Sequence, residues 1–126
     1  MTASGNGYTL SVTYPRIARA GLDVPFRVEV TAPEPFPSDQ SITVRITREY
    51  LTIFESQGLH PETSAERGDA TTVDWEFDPP ADGAVFAVDY DTYIQPGSQR
   101  GEDGTVQLVV DGAVQTSVSF TTTLLP

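Results

Sequence analysis

The sequence predicts an all-β protein, an immunoglobulin-like antiparallel β-sandwich of about seven to nine strands. Two observations favour this fold class. Short segments alternate apolar and polar residues with the period of two that a half-buried strand requires. Clusters of Gly, Pro, Asp and Ser separate these segments, and no convincing long helical pattern interrupts them. Short strands divided by such turns are typical of a sandwich or barrel.

The first part of the chain is regular. Its predicted strands cover residues 8–14, 17–21 (a short edge strand and turn), 24–30 and 42–46. Pro15 ends the first strand. Residues 32–37 contain three prolines, and because each lacks an amide donor we expect a loop of polyproline character there.

Residues 48–72 depart from this regular pattern. Between residues 48 and 58, Tyr50, Leu51 and Phe54 have helical spacing, whereas Thr52 and Ile53 favour a strand. A short helical turn and a bent strand are both compatible with that mixture. Residues 60–72 are polar and have almost no apolar anchor, so we expect a surface loop. The sandwich is therefore predicted to carry one irregular segment at 48–72.

The second part of the chain returns to strict alternation. Predicted strands cover residues 73–77, 85–94, 106–110 and 114–125, separated by a turn at 78–83 and a polar loop at 95–104. Asp111-Gly112 lies between two apolar runs and predicts a type I′ hairpin turn, which needs positive φ at both positions. Trp75 shares a strand face with Val73 and Phe77 and is predicted to be a core residue. Tyr93 is expected on the opposite face from Tyr90.

Length and composition limit the classes of function. The 126 residues predict one domain at 8–126 after a flexible tail, or a remnant of cloning, at 1–7. The net charge of −11 argues against nucleic acid as a partner and against an anionic membrane surface. The sequence has no cysteine, which excludes thiolate chemistry and disulfides. No apolar run is long enough to span a membrane, and the start lacks the pattern of a signal peptide.

The order of strand motifs resembles the immunoglobulin-like domains of bacterial surface proteins, including the cell-adhesion-related domain type. The matching segments are residues 10–15, Ala20-Gly21 before residues 24–30, residues 73–79 and residues 86–92. The resemblance covers most of the chain, and the segment 48–72 departs from the compact repeat form. It implies an extracytoplasmic, non-enzymatic module of a larger exported or membrane-anchored protein. A signal or anchor is then expected outside the printed sequence.

Carboxylates in turns and on one strand face are the candidate metal ligands, because calcium takes six to eight oxygen ligands. The candidates are Asp78, Asp82, Asp89, Asp91, Glu102 and Asp103. No EF-hand loop pattern is present, and the alternative is that these side chains simply face solvent. Calcium is the one cofactor that this pattern would allow.

Two further features are candidate binding sites. Tyr93 is a candidate for contact with a sugar ring if its face is exposed. Arg67-Gly68-Asp69 matches the tripeptide that integrins recognise, although chance is the default explanation for so short a match. No catalytic motif is evident, so no catalytic residue is predicted.

These observations lead to two expectations about function. The first is a non-catalytic extracytoplasmic module that binds a protein or cell-envelope component, or acts as a spacer. The alternative is a calcium- or carbohydrate-binding accessory domain of an exported enzyme. The oligomeric state is not predicted by any of these patterns.

Overall fold

The computed structural model describes residues 1–96 and 101–125, and for Ser56 and Gln57 it describes the backbone alone. Over these residues the chain forms twelve strand segments and one short helix. In chain order they are β1 (Thr2–Gly5), β2 (Tyr8–Thr13), β3 (Ile17–Arg19), β4 (Asp23–Val24), β5 (Arg27–Thr31), β6 (Ile42–Thr47), α1 (Arg48–Leu51), β7 (Phe54–His60), β8 (Ala65–Gly68), β9 (Thr72–Phe77), β10 (Val85–Ile94), β11 (Glu102–Val110) and β12 (Ala113–Leu125). The prediction of an all-β sandwich is confirmed.

Sheet I is antiparallel, and its strands lie in the order β1-β2-β5-β10-β7. The two-residue strand β4 continues β5 along the same side of β10. Val24 pairs with Thr92 and Arg27 pairs with Asp89 in one unbroken register. Pro25 lacks an amide donor, and it falls at the interruption between the two segments. The predicted strand at 24–30 is thus one strand with a short break.

Sheet II has the order β3-β12-β11-β6-β9-β8. Its pairs are antiparallel except for β3, which runs parallel to the end of β12. The short strand expected near residue 17 is therefore confirmed as an edge strand. At the other edge of sheet II lies β8, on the same side of the sandwich as β7, the edge strand of sheet I.

The core lies between the two sheets. The strands with clear alternation bury the apolar face that the sequence predicts: Val28 and Val30 in β5, Val44 and Ile46 in β6, and Trp75 and Phe77 in β9 are all buried. Aromatic rings fill the end of the core near α1. Phe26 lies 5.9 Å from Tyr50 and 6.1 Å from Phe54, measured between ring centroids. Burial of these apolar and aromatic side chains is the main source of stability in a domain that has no disulfide.

The first residues of the chain differ from the expectation. Residues 1–7 were predicted to be a flexible tail, but Thr2–Gly5 form β1 and pair with β2. Asn6 and Gly7 connect the two strands with φ values of 53° and 84°. Asn-Gly with positive φ at both positions is the preferred type I′ hairpin turn. The predicted turn at Asp111-Gly112 has the same conformation, with φ values of 54° and 74°.

Segment 48–72 also differs in part from the expectation. The structure contains both of the alternatives for its first half, since α1 is one helical turn and β7 follows it. The expected surface loop at 60–72 is wrong in one respect, because Ala65–Gly68 form β8 and pair with β9. Both β7 and β8 lie at sheet edges. An edge strand needs few apolar side chains, so its sequence need not alternate clearly.

Candidate functional site

An open groove lies where the edges of the two sheets face each other. It has a volume of about 750 Å³ and runs between β7 of sheet I and β8 of sheet II, with α1 at one end. Twelve residues line it: Arg48, Leu51, Gly58, Leu59, Glu62, Thr63, Glu66, Arg67, Gly68, Val73, Trp75 and Tyr90. The buried apolar side chains of the two sheets form one continuous core beside it.

A β-bulge shapes the wall that β7 forms. Ser56 pairs with Thr92 of β10, but Gly58 pairs with Asp91, so Gln57 is an extra residue in the strand. A bulge shifts the side-chain alternation by one position. Leu59 and the inward-facing Phe54 are an odd number of residues apart, so in a regular strand they would face opposite sides. Because of the bulge, Leu59 also points toward the interior, next to its partner Tyr90.

The wall that β8 forms is open because its inward positions carry no apolar side chain. Glu66 pairs with Trp75 and Gly68 pairs with Val73, so both occupy the inner face of sheet II. Glu66 is nonetheless exposed. At Gly68 a Cβ atom would collide with the Arg48 guanidinium and with the carbonyl oxygen of Thr72, so a larger residue cannot stand there without a shift of its neighbours. The core ends at β9, and the groove occupies the space beneath β8.

The floor of the groove is aromatic. The ring centroids of Trp75 and Tyr90 lie 5.2 Å apart in a tilted arrangement. Trp75 is only 3% exposed, whereas Tyr90 is half-buried. A ring that stacks on a sugar must offer an open face, and Trp75 does not. The floor is better suited to the apolar part of a side chain that enters between the sheets.

Two arginines and two glutamates give the groove its charge. Arg48 donates a hydrogen bond from Nε to the carbonyl oxygen of Asp69 at 2.6 Å. Arg67 Nε lies 3.1 Å from Oε2 of Glu76, at ion-pair distance though without the angle of a hydrogen bond. Glu62 and Glu66 form no ion pair with any described residue. Arg48 keeps its positive charge, because its partner is a neutral carbonyl group. Counted together with Glu76, three carboxylates face two guanidinium groups, so the groove carries a net negative charge.

The carboxylates predicted as metal ligands lie in three separate places. Asp78 and Asp82 are in the turn after β9, at the end of the sandwich near Asp111. Glu102 and Asp103 begin β11 at the opposite end, about 25 Å away along the strand. Asp89 and Asp91 lie on the outer face of β10. Among the described residues no three His, Cys, Asp or Glu side chains form a group that could hold a metal ion.

Two of these carboxylates already have protein partners. Asp89 Oδ2 accepts a hydrogen bond from Arg27 Nη1 at 2.7 Å across β5 and β10. Asp103 Oδ1 accepts one from the Thr121 hydroxyl at 2.6 Å. These contacts are typical of cross-strand pairs on a solvent-facing sheet. Calcium binding stays a prediction, but the structure does not bring its candidate ligands together.

The tripeptide Arg67-Gly68-Asp69 spans the end of β8 and the turn that leads into β9. Oδ1 of Asp69 accepts hydrogen bonds from the Thr71 amide at 2.8 Å, the Thr71 hydroxyl at 2.9 Å and the Thr72 amide at 2.9 Å. These bonds lower the pKa of Asp69 to about 2. The carboxylate thus holds the turn, and recognition of the tripeptide stays a prediction.

Tyr93 lies on the outer face of β10, opposite in orientation to the inward-facing Ile94, as predicted. It is half-buried rather than fully exposed, and Glu55 is its cross-strand partner. The neighbouring Glu55 carboxylate raises the pKa of the Tyr93 phenol. Its role as a sugar contact also stays a prediction.

Most of the groove residues fall in the segment that the sequence marks as irregular. The sequence allowed a bent strand near β7 as one alternative, but it did not predict that β8 is a strand or that Tyr90 faces the same groove from β10. The bulge at Gln57 hides the alternation of β7, and β8 has no apolar residue larger than Ala65. The pairing of β8 with the clearly alternating β9 could be recognised only in three dimensions.

Comparisons with known proteins support the fold and no particular family. The N-terminal domain of a Streptococcus gordonii adhesin superposes with a TM-score of 0.62 and 18% identity, over 95% of this chain and 33% of that one. This chain therefore spans about one third of the adhesin structure. At that identity the match establishes a shared fold alone. The protein is a β-sandwich domain of immunoglobulin-like type with an open groove at one edge.

Two other solved structures superpose less well. A cohesin module from a Clostridium perfringens family 33 glycoside hydrolase gives a TM-score of 0.49 at 12% identity, over 98% of both chains. A cell-adhesion-related (CARDB) domain from Pyrococcus furiosus, in complex with di-metal ions, gives 0.45 at 10% identity, over 99% of this chain and 95% of that one. Neither value establishes a common fold, so the assignment depends on the adhesin domain.

In sequence the chain matches no protein-family model and no curated protein. Its only described helix, α1, is four residues long, and no described helix is long and apolar enough to cross a membrane. The superposition on the adhesin domain confirms the resemblance to immunoglobulin-like domains of surface proteins at the level of the fold alone.

Proposed function

We propose that this domain is a non-catalytic extracytoplasmic binding module of a bacterial exported or membrane-anchored protein, and that it holds a protein partner in the edge groove. The observation that carries the proposal is the space beneath β8. There the core ends at Trp75, and the inward positions Glu66 and Gly68 leave the groove open. A pocket with an apolar floor and a few polar groups is the usual form of a binding site.

The likeness to a domain of a streptococcal adhesin supports a surface location and a binding role. A spacer domain has no need of an open edge. The polar composition of the groove rim supports a ligand that brings its own hydrogen bonds. The near-complete burial of Trp75 argues against a carbohydrate that stacks on it.

The single tryptophan of the chain makes this proposal directly testable. Trp75 lies in the groove floor, so a bound ligand should change its fluorescence. We would titrate the protein with synthetic ten-residue peptides of basic, neutral and acidic composition, and with soluble polysaccharides. We expect at least one peptide class to give a saturable change in Trp75 emission, together with amide NMR shifts at Leu59 and Thr63.

A blocking variant and a matched control make the test specific. Thr63→Tyr places a ring in the groove and should abolish the signal. Thr31→Tyr makes the same change on the exposed outer face of β5 and should leave binding unchanged. Binding that survives Thr63→Tyr, or the absence of any peptide response, would contradict the groove as the binding site.

A further inference from the structure

We propose that the partner is an extended basic peptide segment, which pairs with the free edge of β8 and places a Lys or Arg side chain in the groove. This inference rests on the proposed function and names the chemistry of the ligand. Three independent features point to it: the outer backbone edge of β8, which no described strand covers, the excess of carboxylates over guanidinium groups at the groove, and the aromatic floor.

The backbone of β8 offers a template for an added strand. The amide of Asp69 donates to the Thr72 carbonyl at 3.0 Å, and the register makes Arg67 and Asp74 the next hydrogen-bonded pair. Hydrogen-bonded and non-hydrogen-bonded pairs alternate in an antiparallel ladder. The N–H and C=O groups of Glu66 and Gly68 consequently point away from β9. No described strand pairs with β8 on that side.

The pleat of the sheet decides where the side chains of an added strand point. Residues directly opposite each other on neighbouring strands face the same side of the sheet. Glu66 faces inward, so the peptide residue opposite it also projects into the groove. The side chain of that peptide residue lies beside the Glu66 side chain. The peptide residues before and after it face the outer side of the sheet, toward solvent.

The charges of the groove favour a cation at this position. Arg67 is paired with Glu76, and Arg48 donates to the neutral Asp69 carbonyl, so one positive charge remains at the α1 end of the groove. Glu62 and Glu66 have no ion-pair partner among the described residues, and the net charge of the groove is negative. A Lys or Arg side chain has an aliphatic stem that can lie against Leu59 and the Tyr90 ring, and a charged end that reaches the carboxylates. The net charge of −11 would also attract a basic segment at long range.

The same charges disfavour a second copy of this chain as the occupant. Self-pairing along β8 would bring a second Glu62 and Glu66 to the same groove. Like charges on facing strands are destabilising, and inward-pointing charges are a known device against self-association of edge strands. The segment therefore has to come from a partner of opposite charge.

The experiment compares three peptides of identical length and β-propensity, in which alternate positions are Lys, Gln or Glu between Thr and Val. We expect the Lys peptide to bind at least about tenfold more tightly than the Gln peptide at low salt, and the Glu peptide to give no saturable change in Trp75 emission. N-methylation of the peptide on the edge facing β8 should weaken binding by at least about tenfold, because it removes the backbone hydrogen bonds.

Protein variants separate the charge from the fold. Glu66→Gln keeps the size of the side chain and should weaken binding of the Lys peptide about two- to fivefold, with a smaller dependence on salt. Glu34→Gln, in the exposed proline-rich loop, is the matched control and should change neither affinity nor salt dependence.

The outcomes distinguish this inference from the proposed function. If the Gln or Glu peptide binds in the groove as tightly as the Lys peptide, the groove is a binding site but the basic partner is wrong. If the N-methylated peptide binds unchanged, strand addition is wrong. If no peptide changes Trp75 emission, the proposed function fails as well.

Discussion

At the scale of single residues, a buried chain of hydrogen bonds joins three distant parts of the sequence. The Thr122 hydroxyl donates to the carbonyl oxygen of Pro15 at 2.6 Å. Because that hydroxyl has only one hydrogen, the Tyr50 hydroxyl, 2.7 Å away, must be the donor to Thr122. Tyr50 and Thr122 are fully buried, so water cannot replace either partner.

Tyr50→Phe is expected to lower the free energy of unfolding by about 1–2 kcal/mol, because it leaves the Thr122 oxygen without its donor while the ring packing is kept. Urea denaturation followed by circular dichroism measures the change. Tyr93→Phe removes a hydroxyl from the outer face of β10 and should stay within about 0.5 kcal/mol of the original protein. Equal losses from the two substitutions would contradict the importance of the buried chain.

The same tyrosine should make the protein sensitive to alkali. Burial raises the pKa of Tyr50 well above its usual value. In the unfolded chain a tyrosine ionises near pH 10. The contribution of Tyr50 to stability is therefore complete below about pH 10 and is lost as the pH rises above it. Urea midpoints measured above pH 10 should consequently fall more steeply for the original protein than for Tyr50→Phe.

Asp69 is expected to show the opposite pH dependence. Its hydrogen bonds to Thr71 and Thr72 lower its pKa to about 2, so the carboxylate stabilises the turn above the unfolded pKa of about 4. That stabilisation is lost as the pH falls from about 4 to about 2. An NMR titration of the carboxyl carbon measures the pKa directly. Thr71→Ala removes the hydroxyl donor and should move the pKa of Asp69 upward, whereas an unchanged titration would contradict the contacts described for the turn.

At the scale of secondary structure elements, the sequence predicts a strand well when one face of that strand is buried along its whole length. Strands such as β5 and β6 alternate because each inward position meets the opposite sheet. The groove strands lack that constraint. A bulge shifts the alternation of β7, and β8 faces an open space, so neither leaves a period of two in the sequence.

The hairpin that joins β1 to β2 was predictable from local chemistry. Asn6-Gly7 is as strong a hairpin signal as Asp111-Gly112. Thr2–Gly5 contain no apolar residue larger than Ala3, so hydrophobic patterning alone does not mark them as a strand. The position of the candidate site near residues 48–72 was predictable, but the part played by Tyr90 was not, because it depends on the pairing of β7 with β10.

The free edge of β8 leads to a prediction for the isolated protein. The amide of Arg67 is hydrogen-bonded within the sheet, whereas the amides of Glu66 and Gly68 point toward solvent. In a hydrogen-exchange experiment Glu66 and Gly68 should therefore exchange much faster than Arg67. Equal protection of all three amides would show that the edge is already covered and would contradict its role as a template.

At the scale of the whole molecule, electrostatic repulsion should outweigh the ion pairs. The chain has 18 acidic and 7 basic residues, and the described ion pairs involve only three of the arginines. The strongest is the half-buried pair of Arg45 and Asp74, with distances of 2.8 and 3.0 Å. Exposed ion pairs contribute about 0–1 kcal/mol each, too little to offset the self-repulsion of a net charge of −11.

Salt should accordingly stabilise this protein. Raising sodium chloride from about 10 mM to about 300 mM shortens the screening length from about 30 Å to well below 10 Å, and the melting temperature is expected to rise by a few degrees. A variant that replaces Glu34, Asp39 and Asp82 with their amides should respond less, because its net charge is smaller. A melting temperature that falls with added salt would show that the ion pairs dominate instead.

A comparison of calcium and magnesium salts separates general screening of charge from binding at a specific calcium site. The six carboxylates that the sequence offers as ligands lie at the two ends of the sandwich and on the outer face of β10, too far apart to share one ion. Calcium chloride and magnesium chloride at equal ionic strength should therefore raise the melting temperature equally. A larger rise in melting temperature with calcium would mean that only one or two of these carboxylates, together with backbone carbonyls or water, form a site. Substitution of Asp82, Asp91 and Asp103 one at a time would then show which part of the sandwich holds the ion.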